Sequence, residues 1–339
     1  MKLTAALLWP ASMLYNAAAR IRWWAYRAGI AKQRRLRGVV VGVGNITTGG
    51  TGKTPVVLWI AERALGAGKK VGLLSRGYRP LPPGSDAGAH GWNDEVALLH
   101  GRLGARVEFG VGANRFEKGK ELQTRGVEWF ILDDGFQHLQ LARDVDIVMI
   151  DATKPFGGGH ILPSGRLREP VSALQRADIL VIHRAEERVP AIEAVIRRYS
   201  QAPIYFSQAK LLGLEEYRGG DAATPPAAGT RFFAFCGIGN PPAFFADLKK
   251  WAIALAGSDT FSDHHRYTNA DMARLEQAAR AAGADALVCT EKDTYDLPPN
   301  TGIGIPIYFC KIGLKFDDEE GLWREILGVI EKRNRGRTG

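Results

Sequence analysis

Cysteine is scarce in this chain of 339 residues, which has only Cys236, Cys289 and Cys310 and no CxxC pair. That excludes a disulfide framework and a zinc ribbon and suits a reducing cytosol. Each cysteine lies in an apolar run (FFAFC, ALVC, IYFC), where a small buried hydrophobe is the expected role. Acidic residues are absent from residues 1–37, which carry Lys2, Arg20, Arg22, Arg27, Lys32, Arg34, Arg35 and Arg37. A second basic cluster, Lys332, Arg333, Arg335 and Arg337, closes the chain. These two clusters more than account for the formal net charge of +9, so the body between them is slightly acidic. A broad nucleic-acid groove is therefore excluded, and no nucleic-acid partner is expected. There is no internal repeat and no guanine-reading NKxD motif. With 45% hydrophobic residues, the chain can bury a core in roughly two domains.

The apolar N-terminus is uncharged from Leu3 to Ala19 and runs at once into RIRWWAYRAGIAKQRRLR. A secretory signal is one reading, because Ala17-Ala18-Ala19 resembles a cleavage site. The basic residues lie downstream, however, and would hold that side in the cytoplasm. A spanning helix is a second reading, but a segment of this length interrupted by Pro10 and Asn16 is at the lower limit for crossing roughly 30 Å of hydrocarbon. A third is an interfacial segment, with Leu7, Leu8, Trp9, Met13 and Leu14 in the acyl boundary, Trp23, Trp24 and Tyr26 at headgroup level, and the basic side chains on anionic lipid. An ordinary helix covering its own domain is the fourth.

After Arg37 strand and helix signals alternate. GVVVGVGN, KVGLLSRGY, VEWFILDD, VDIVMID and ADILVIHR read as strands, and PVVLWIAERALGAG and DEVALLHGRLG as helices. Such alternation predicts an α/β fold with a mostly parallel sheet, helices on both faces, and ligands at the carboxyl ends of the strands. A composition shift at GGDAATPPAAGT marks a linker or domain edge. Beyond it, RFFAFCGIG, PPAFFADLKKWAIA, DMARLEQAARAAGA, ALVCTEKD and IYFC compose a smaller α/β unit. The expected boundaries are an arm at 1–37, a P-loop domain at 38–218, a linker at 219–230 and a C-terminal domain at 231–339.

GNITTGGTGKTP, from Gly44 to Pro55, falls between a buried strand and a helix. There Gly49, Gly50, Thr51 and Gly52 can turn backbone N–H groups toward phosphate oxygens. Lys53 can reach the β and γ phosphates, and Thr54 can ligate magnesium. The strict pattern G-x-x-x-x-G-K-[ST] requires glycine where this chain has Thr47. The loop resembles instead the x-G-G-T-G-K-T form of the partition ATPases, with Thr48 in place of their signature lysine.

Asp133 and Asp134 end the WFIL strand, as the acidic residues of a magnesium-holding Walker-B site do, although a turn or capping role uses the same residue type. His138 follows on the same loop, either as a site group or as a packing histidine. Asp94 and Glu95 open a predicted helix, either as caps or as site residues. In GGGHILPSGRLREP, Arg166, Arg168 and Glu169 can grip an anionic substrate or the nucleotide. Asp263, His264 and His265 form a DHH that suits proton handling at least as well as metal binding.

Taken together, GNITTGGTGKTP, LSRGY, DDGFQH, LPSGRLREP, GIGNPPAF, DHH and TEKD resemble the tetraacyldisaccharide 4'-kinase family of lipid A biosynthesis over nearly the whole chain. The resemblance implies a P-loop kinase domain and a smaller domain that close on the nucleotide. It also implies ATP and Mg2+ as cofactors, and a lipid A precursor disaccharide whose 4'-hydroxyl receives the γ-phosphoryl group. An enzyme at the cytoplasmic face of the inner membrane, peripheral or monotopic and held to its lipids by the N-terminal arm, is implied as well. By resemblance Asp94 is the general base and His264, ahead of His265, its partner, with Lys53 catalytic. Glu95, Asp133 and Asp134 join Thr54 around the metal, and Arg76, Tyr78, His138, Arg168 and Glu169 contact nucleotide or substrate. A membrane-recruited P-loop switch ATPase is the rival reading.

Overall fold

The computed structural model describes residues 2–77, 92–217 and 225–338. Tyr78 and residues 219–224 of the expected linker lie outside the described residues. The chain forms two compact units, one of Met1–Arg76, Leu103–Gln208 and Leu314–Gly339, the other of Gly77–Arg102 and Ala209–Gly313.

In the first unit, β1 (Val39–Asn45), β2 (Val71–Ser75), β3 (Val107–Val111), β4 (Trp129–Asp133), β5 (Val145–Asp151), β6 (Ile179–His183) and the start of β7 (Ile204–Glu216) pair in parallel in the order β3-β2-β4-β1-β5-β6-β7. Side chains alternate across these strands, so each strand feeds two cores. Val40, Leu74, Phe130 and Leu132 pack with Leu122 of α4 (Arg115–Thr124) on one face. On the other, Trp129 meets Trp323 of α8 (Glu319–Thr338), which also touches Trp59 of α2 (Lys53–Gly66). Helices thus cover both faces, as the apolar runs of β1 and β4 require. With β1 central in the order, the loop after it emerges at the carboxyl edge, flanked by the ends of β4 and β5.

α1 (Lys2–Arg27) runs through Pro10 as one helix of this unit. The Ser12 hydroxyl donates to the Ile161 carbonyl at 3.1 Å and bonds the Ser164 hydroxyl at 2.7 Å. Elsewhere on the helix Leu8, Trp9, Met13, Leu14, Ile21 and Trp24 are exposed. Among the described residues no helix is long and apolar enough to cross a membrane.

In the second unit, the order is β11 (Ile307–Phe316), β10 (Ala286–Thr290), β8 (Phe232–Cys236) and β9 (Leu255–Thr260), again parallel. Phe233, Phe235, Leu287 and Cys289 face α7 (Asn269–Ala281) through Met272 and Leu275. Ala234, Cys236, Val288 and Cys310 face α6 (Pro241–Lys250) through Phe244 and Leu248. All three cysteines are free and buried, and burial pushes the Cys236 and Cys310 thiols up to about 12.

The expected contiguous boundaries give way to an interleaved partition: Gly77–Arg102 clusters with the second unit and Leu314–Gly339 with the first. The reason is local. β7 starts in the first unit and ends in the second, and β11 does the reverse, so the chain changes unit inside strands, where composition does not shift. The arm at 1–37 likewise belongs to the first unit.

Candidate active site

The phosphate loop is held in shape from both sides. Gly44 lies against the following acidic turn so closely that a Cβ there would stand 2.6 Å from Cβ of Phe136. Asn45, fully buried, donates from Nδ2 to Thr51 Oγ1 at 2.9 Å, and its carbonyl accepts from Gln137 at 2.8 Å. Gly52 caps α2 at φ 79°, and a Cβ on it would fall 2.6 Å from the ring of His183. Only glycine fits both demands. Lys53 and Thr54 then open α2, whose N-terminal dipole favours an anion.

The departures from the strict loop pattern have a structural cause. Thr48 N–H donates to the Arg166 carbonyl at 2.8 Å, Arg168 N–H donates to the Ile46 carbonyl at 2.8 Å, and Thr47 bridges Leu167 in antiparallel fashion. Residues 46–48 therefore behave as a short strand braced by 166–168, where a β-branched residue suits and glycine is not needed.

Asp133 ends β4 and is buried; Asp134 follows at φ 49°. Both Asp134 oxygens accept from Arg168, at 2.7 and 2.9 Å, and Lys53 Nζ stands 3.5 Å away. Burial would raise the Asp134 carboxyl, but Lys53 and Arg168 outweigh it and hold the group well below the usual carboxylate range. Glu169 is likewise engaged, accepting from Arg176 at 2.7 and 2.9 Å and from Gln137 at 3.1 Å. Arg168 and Glu169 thus brace the acidic turn.

His138 is buried, with Nδ1 3.0 Å from Arg115 Nη1 and its carbonyl accepting from Arg143 at 2.7 Å. Burial, then Arg115 and Arg143, push the imidazole down to about 4, so it is neutral, and its buried Nε2 has no hydrogen-bond partner among the described residues. Arg76 contributes to the same positive field. Sequence reasoning missed His183, Asn45 and Arg115. A histidine closing a buried strand in ADILVIHR was the available signal for the first. His183 is neutral, pushed down to about 3 by burial and then Arg184, with Nδ1 3.1 Å from Ser207 Oγ.

The second cluster belongs wholly to the second unit. Asn93 is the cap of α3 (Asp94–Leu103), accepting the Val96 N–H at 3.1 Å, which frees Asp94 from that task. Asp94 is buried, and its Oδ2 stands 2.9 Å from His264 Nδ1 and 3.2 Å from Lys292 Nζ. Burial raises the Asp94 carboxyl, but His264 and Lys292 more than reverse this and leave it lowered. Asp94 in turn raises His264 against burial and Lys292. His264 adopts φ 57°, and its N–H donates to the Gly237 carbonyl at 3.0 Å. Its neighbour His265 turns to Asp271, at 3.2 Å, and packs against Phe261 and Tyr267. Asp263 Oδ1 lies 3.9 Å from His264 Nε2.

Oxygen donors for a hard cation are present in Thr54 and Asp133, which suits Mg2+. Asp134 is committed to Arg168 and Lys53, and Glu95 lies 3.7 Å from Lys292 in the other unit. Among the described residues no three His, Cys, Asp or Glu side chains form a metal cage.

Residues 4–331 match the profile of a protein family described as Tetraacyldisaccharide-1-P 4'-kinase. The Tetraacyldisaccharide 4'-kinase of Geobacter metallireducens is 39% identical over 312 residues, covering 88% of this chain and 90% of its own. That of Syntrophobacter fumaroxidans is 35% identical over 345 residues, covering 95% and 88%. Among solved structures, LpxK from Aquifex aeolicus, crystallised in complex with ATP, matches with a TM-score of 0.72 at 26% identity, covering 96% of this chain and 99% of that one.

Proposed function

Because the chain belongs to the tetraacyldisaccharide-1-P 4'-kinase family, we propose that the phosphate loop holds its nucleotide and that Asp94 and His264 serve as base and partner in the phosphoryl transfer. The chain is a kinase that moves the γ-phosphoryl group of ATP to the 4'-hydroxyl of a tetraacyldisaccharide 1-phosphate in lipid A biosynthesis. Lys53 and the backbone of Gly49, Gly50, Thr51 and Gly52 hold the phosphates. A magnesium ion held by Thr54 and Asp133 would neutralise charge developing on the phosphate oxygens. Asp94 takes the proton of the attacking hydroxyl as the new O–P bond forms, and the bond from γ-phosphorus to the ADP oxygen breaks with its electron pair leaving on ADP. His264 orients Asp94 and offsets its charge. The observation that carries this reading is the 2.9 Å contact between Asp94 and His264, residues 170 apart in sequence.

Arg76 and His138, with Tyr78, are assigned to the anionic substrate or nucleotide, and Arg168 and Glu169 support them by holding the acidic turn. α1 anchors the chain at the cytoplasmic face of the inner membrane, its exposed apolar side meeting the acyl boundary and its basic residues the anionic headgroups. This part is supported by the exposure of Trp9, Leu14 and Trp24.

The test is incubation with γ-labelled ATP, magnesium and the lipid disaccharide 1-phosphate in detergent micelles. Label is expected in the lipid, and Lys53→Ala or Asp94→Ala is expected to abolish it. Label appearing only in inorganic phosphate would favour the switch ATPase.

A further inference from the structure

Lys292 has no part in the chemistry above, yet it is placed against the base. It directly precedes the 3-10 turn Asp293–Tyr295, and its Nζ lies 3.2 Å from Asp94 Oδ2 and 3.7 Å from Glu95 Oε1. His264 Nδ1 meets the same Asp94 Oδ2 at 2.9 Å, while Oδ1 accepts the Glu95 N–H at 2.9 Å. A carboxylate oxygen offers about two lone-pair sites. Among the described residues both sites of Oδ2 are thereby taken, and Oδ1 holds one partner.

We propose that Lys292 is a positioning residue for the transfer: with His264 it clamps Oδ2 of Asp94, fixes the rotation of the carboxylate, and leaves Oδ1 to receive the proton of the acceptor hydroxyl. This rests on the reading of Asp94 as the base.

The turn that carries Lys292 is built to aim it. Asp293, its neighbour, is fully buried and accepts from Thr290 Oγ1 at 2.5 Å, Tyr267 hydroxyl at 2.8 Å and Gly237 N–H at 2.7 Å. The Gly237 carbonyl in turn accepts the His264 N–H. One buried carboxylate thus anchors both the turn that delivers Lys292 and the loop that delivers His264. On the other side, Glu291 takes both arms of Arg102, near the end of α3, at 2.6 Å each. The helix that bears Asp94 is therefore tied to the Lys292 turn at two places. An ion pair made for stability alone does not need both partners of one oxygen hung from a single anchor. Without Lys292, Asp94 keeps His264 alone on that side among the described residues, near Glu95, Asp263 and Asp296, and its carboxylate is less restrained from rotating away from the productive orientation.

Steady-state kinetics in mixed micelles, with nucleotide affinity measured separately, decide the matter for Lys292→Met, Lys292→Arg, Asp94→Asn and the double variant Asp94→Asn/Lys292→Met. Lys292→Met is expected to lower kcat by roughly 100-fold or more, with KM for ATP and nucleotide affinity changed by less than about 2-fold. Lys292→Arg, which keeps the charge, should recover at least about 10-fold of that loss. The double variant should be no slower than Asp94→Asn, because the lysine acts only through the aspartate. A kcat for Lys292→Met within about 3-fold of wild type would overturn the inference, as would nucleotide affinity falling in step with kcat, or a double variant slower by the full Lys292→Met factor. Should Lys292→Met lose its thermal unfolding transition, Lys292→Gln is held to the same criteria. The two readings fail separately. Transfer retained by Asp94→Asn removes the base itself, whereas loss in Asp94→Asn beside a normal Lys292→Met removes only the clamp.

Discussion

The side-chain amide of Asn45 donates to the hydroxyl of Thr51 across 2.9 Å, and both residues are buried. The last residue of β1 thereby fastens the middle of the phosphate loop, fixing the direction in which its N–H groups point before any nucleotide arrives. Asn45→Ala leaves the Thr51 hydroxyl buried without this partner, at a cost of about 1–3 kcal/mol. With the loop less ordered, KM for ATP is expected to rise roughly 5- to 100-fold, with a smaller fall in kcat. Titration of ATP at saturating lipid measures this, and an unchanged KM would show that the loop holds its shape without Asn45.

Gly52 combines a left-handed backbone with a ring in van der Waals contact, His183 lying where a Cβ would go. Gly52→Ala is therefore expected to weaken nucleotide binding by 10-fold or more, from about 1–3 kcal/mol of backbone strain with steric overlap added to it. His183→Ala removes the overlap but not the strain, so Gly52→Ala/His183→Ala should recover part of the loss. Binding of a fluorescent ATP analogue measures both; equal affinities for the single Gly52 variant and the double would assign the whole effect to the backbone.

Two buried imidazoles make stability fall in acid. His138 is held down to about 4 by burial, Arg115 and Arg143, and His183 to about 3 by burial and Arg184. In the unfolded chain both titrate near 6.5. As pH falls below about 6.5 the unfolded state takes up protons that the folded state refuses, so stability present above that pH is lost progressively until the folded pKa values are passed. The midpoint of thermal unfolding should therefore drop between pH 6.5 and about 4, and less steeply in His183→Asn, which keeps a polar atom near Ser207 without the titration. Parallel slopes for wild type and variant would show that other groups cause the loss.

Much of this architecture is legible in sequence, for a physical reason. Strands buried on both faces carry runs dominated by apolar residues, and β1, β4, β5 and β6 coincide with GVVVGVGN, VEWFILDD, VDIVMID and ADILVIHR. β9, LAGSDT, is only partly buried and has no such run, and α4, RFEKGKELQT, is largely polar, so neither leaves a clear pattern. The phosphate loop is legible because its parts are contiguous. Asp94 and His264 each stand in a recognisable motif, but nothing in either motif states that they meet. Arg168 reads as an anion-gripping arginine, yet both of its terminal nitrogens serve Asp134. Lys292 stands in TEKD, one of the motifs of the resemblance, but nothing in that motif gives the lysine a role until its partner Asp94 is known.

The apolar side of α1 gives the last prediction. Trp9 is 59% exposed, Leu14 74% and Trp24 57%, although each belongs to a residue type that a helix of this unit would ordinarily turn inward. Ser12, by contrast, is buried and bonded to Ile161 and Ser164, so the helix has docked a polar residue and left Trp9, Leu14 and Trp24 outside. That inversion is expected of a surface that meets lipid, where fully burying a large apolar side chain is worth about 1.5–3 kcal/mol. Leu14→Asp and Trp9→Ser are each expected to weaken binding to vesicles containing anionic lipid by roughly 10-fold or more, while transfer to a micelle-dispersed acceptor persists. Because the basic residues that follow add an electrostatic contribution, the remaining binding should decline as salt is raised. Co-sedimentation with vesicles at two ionic strengths measures both effects, and unchanged partitioning of Leu14→Asp would remove α1 from the membrane contact.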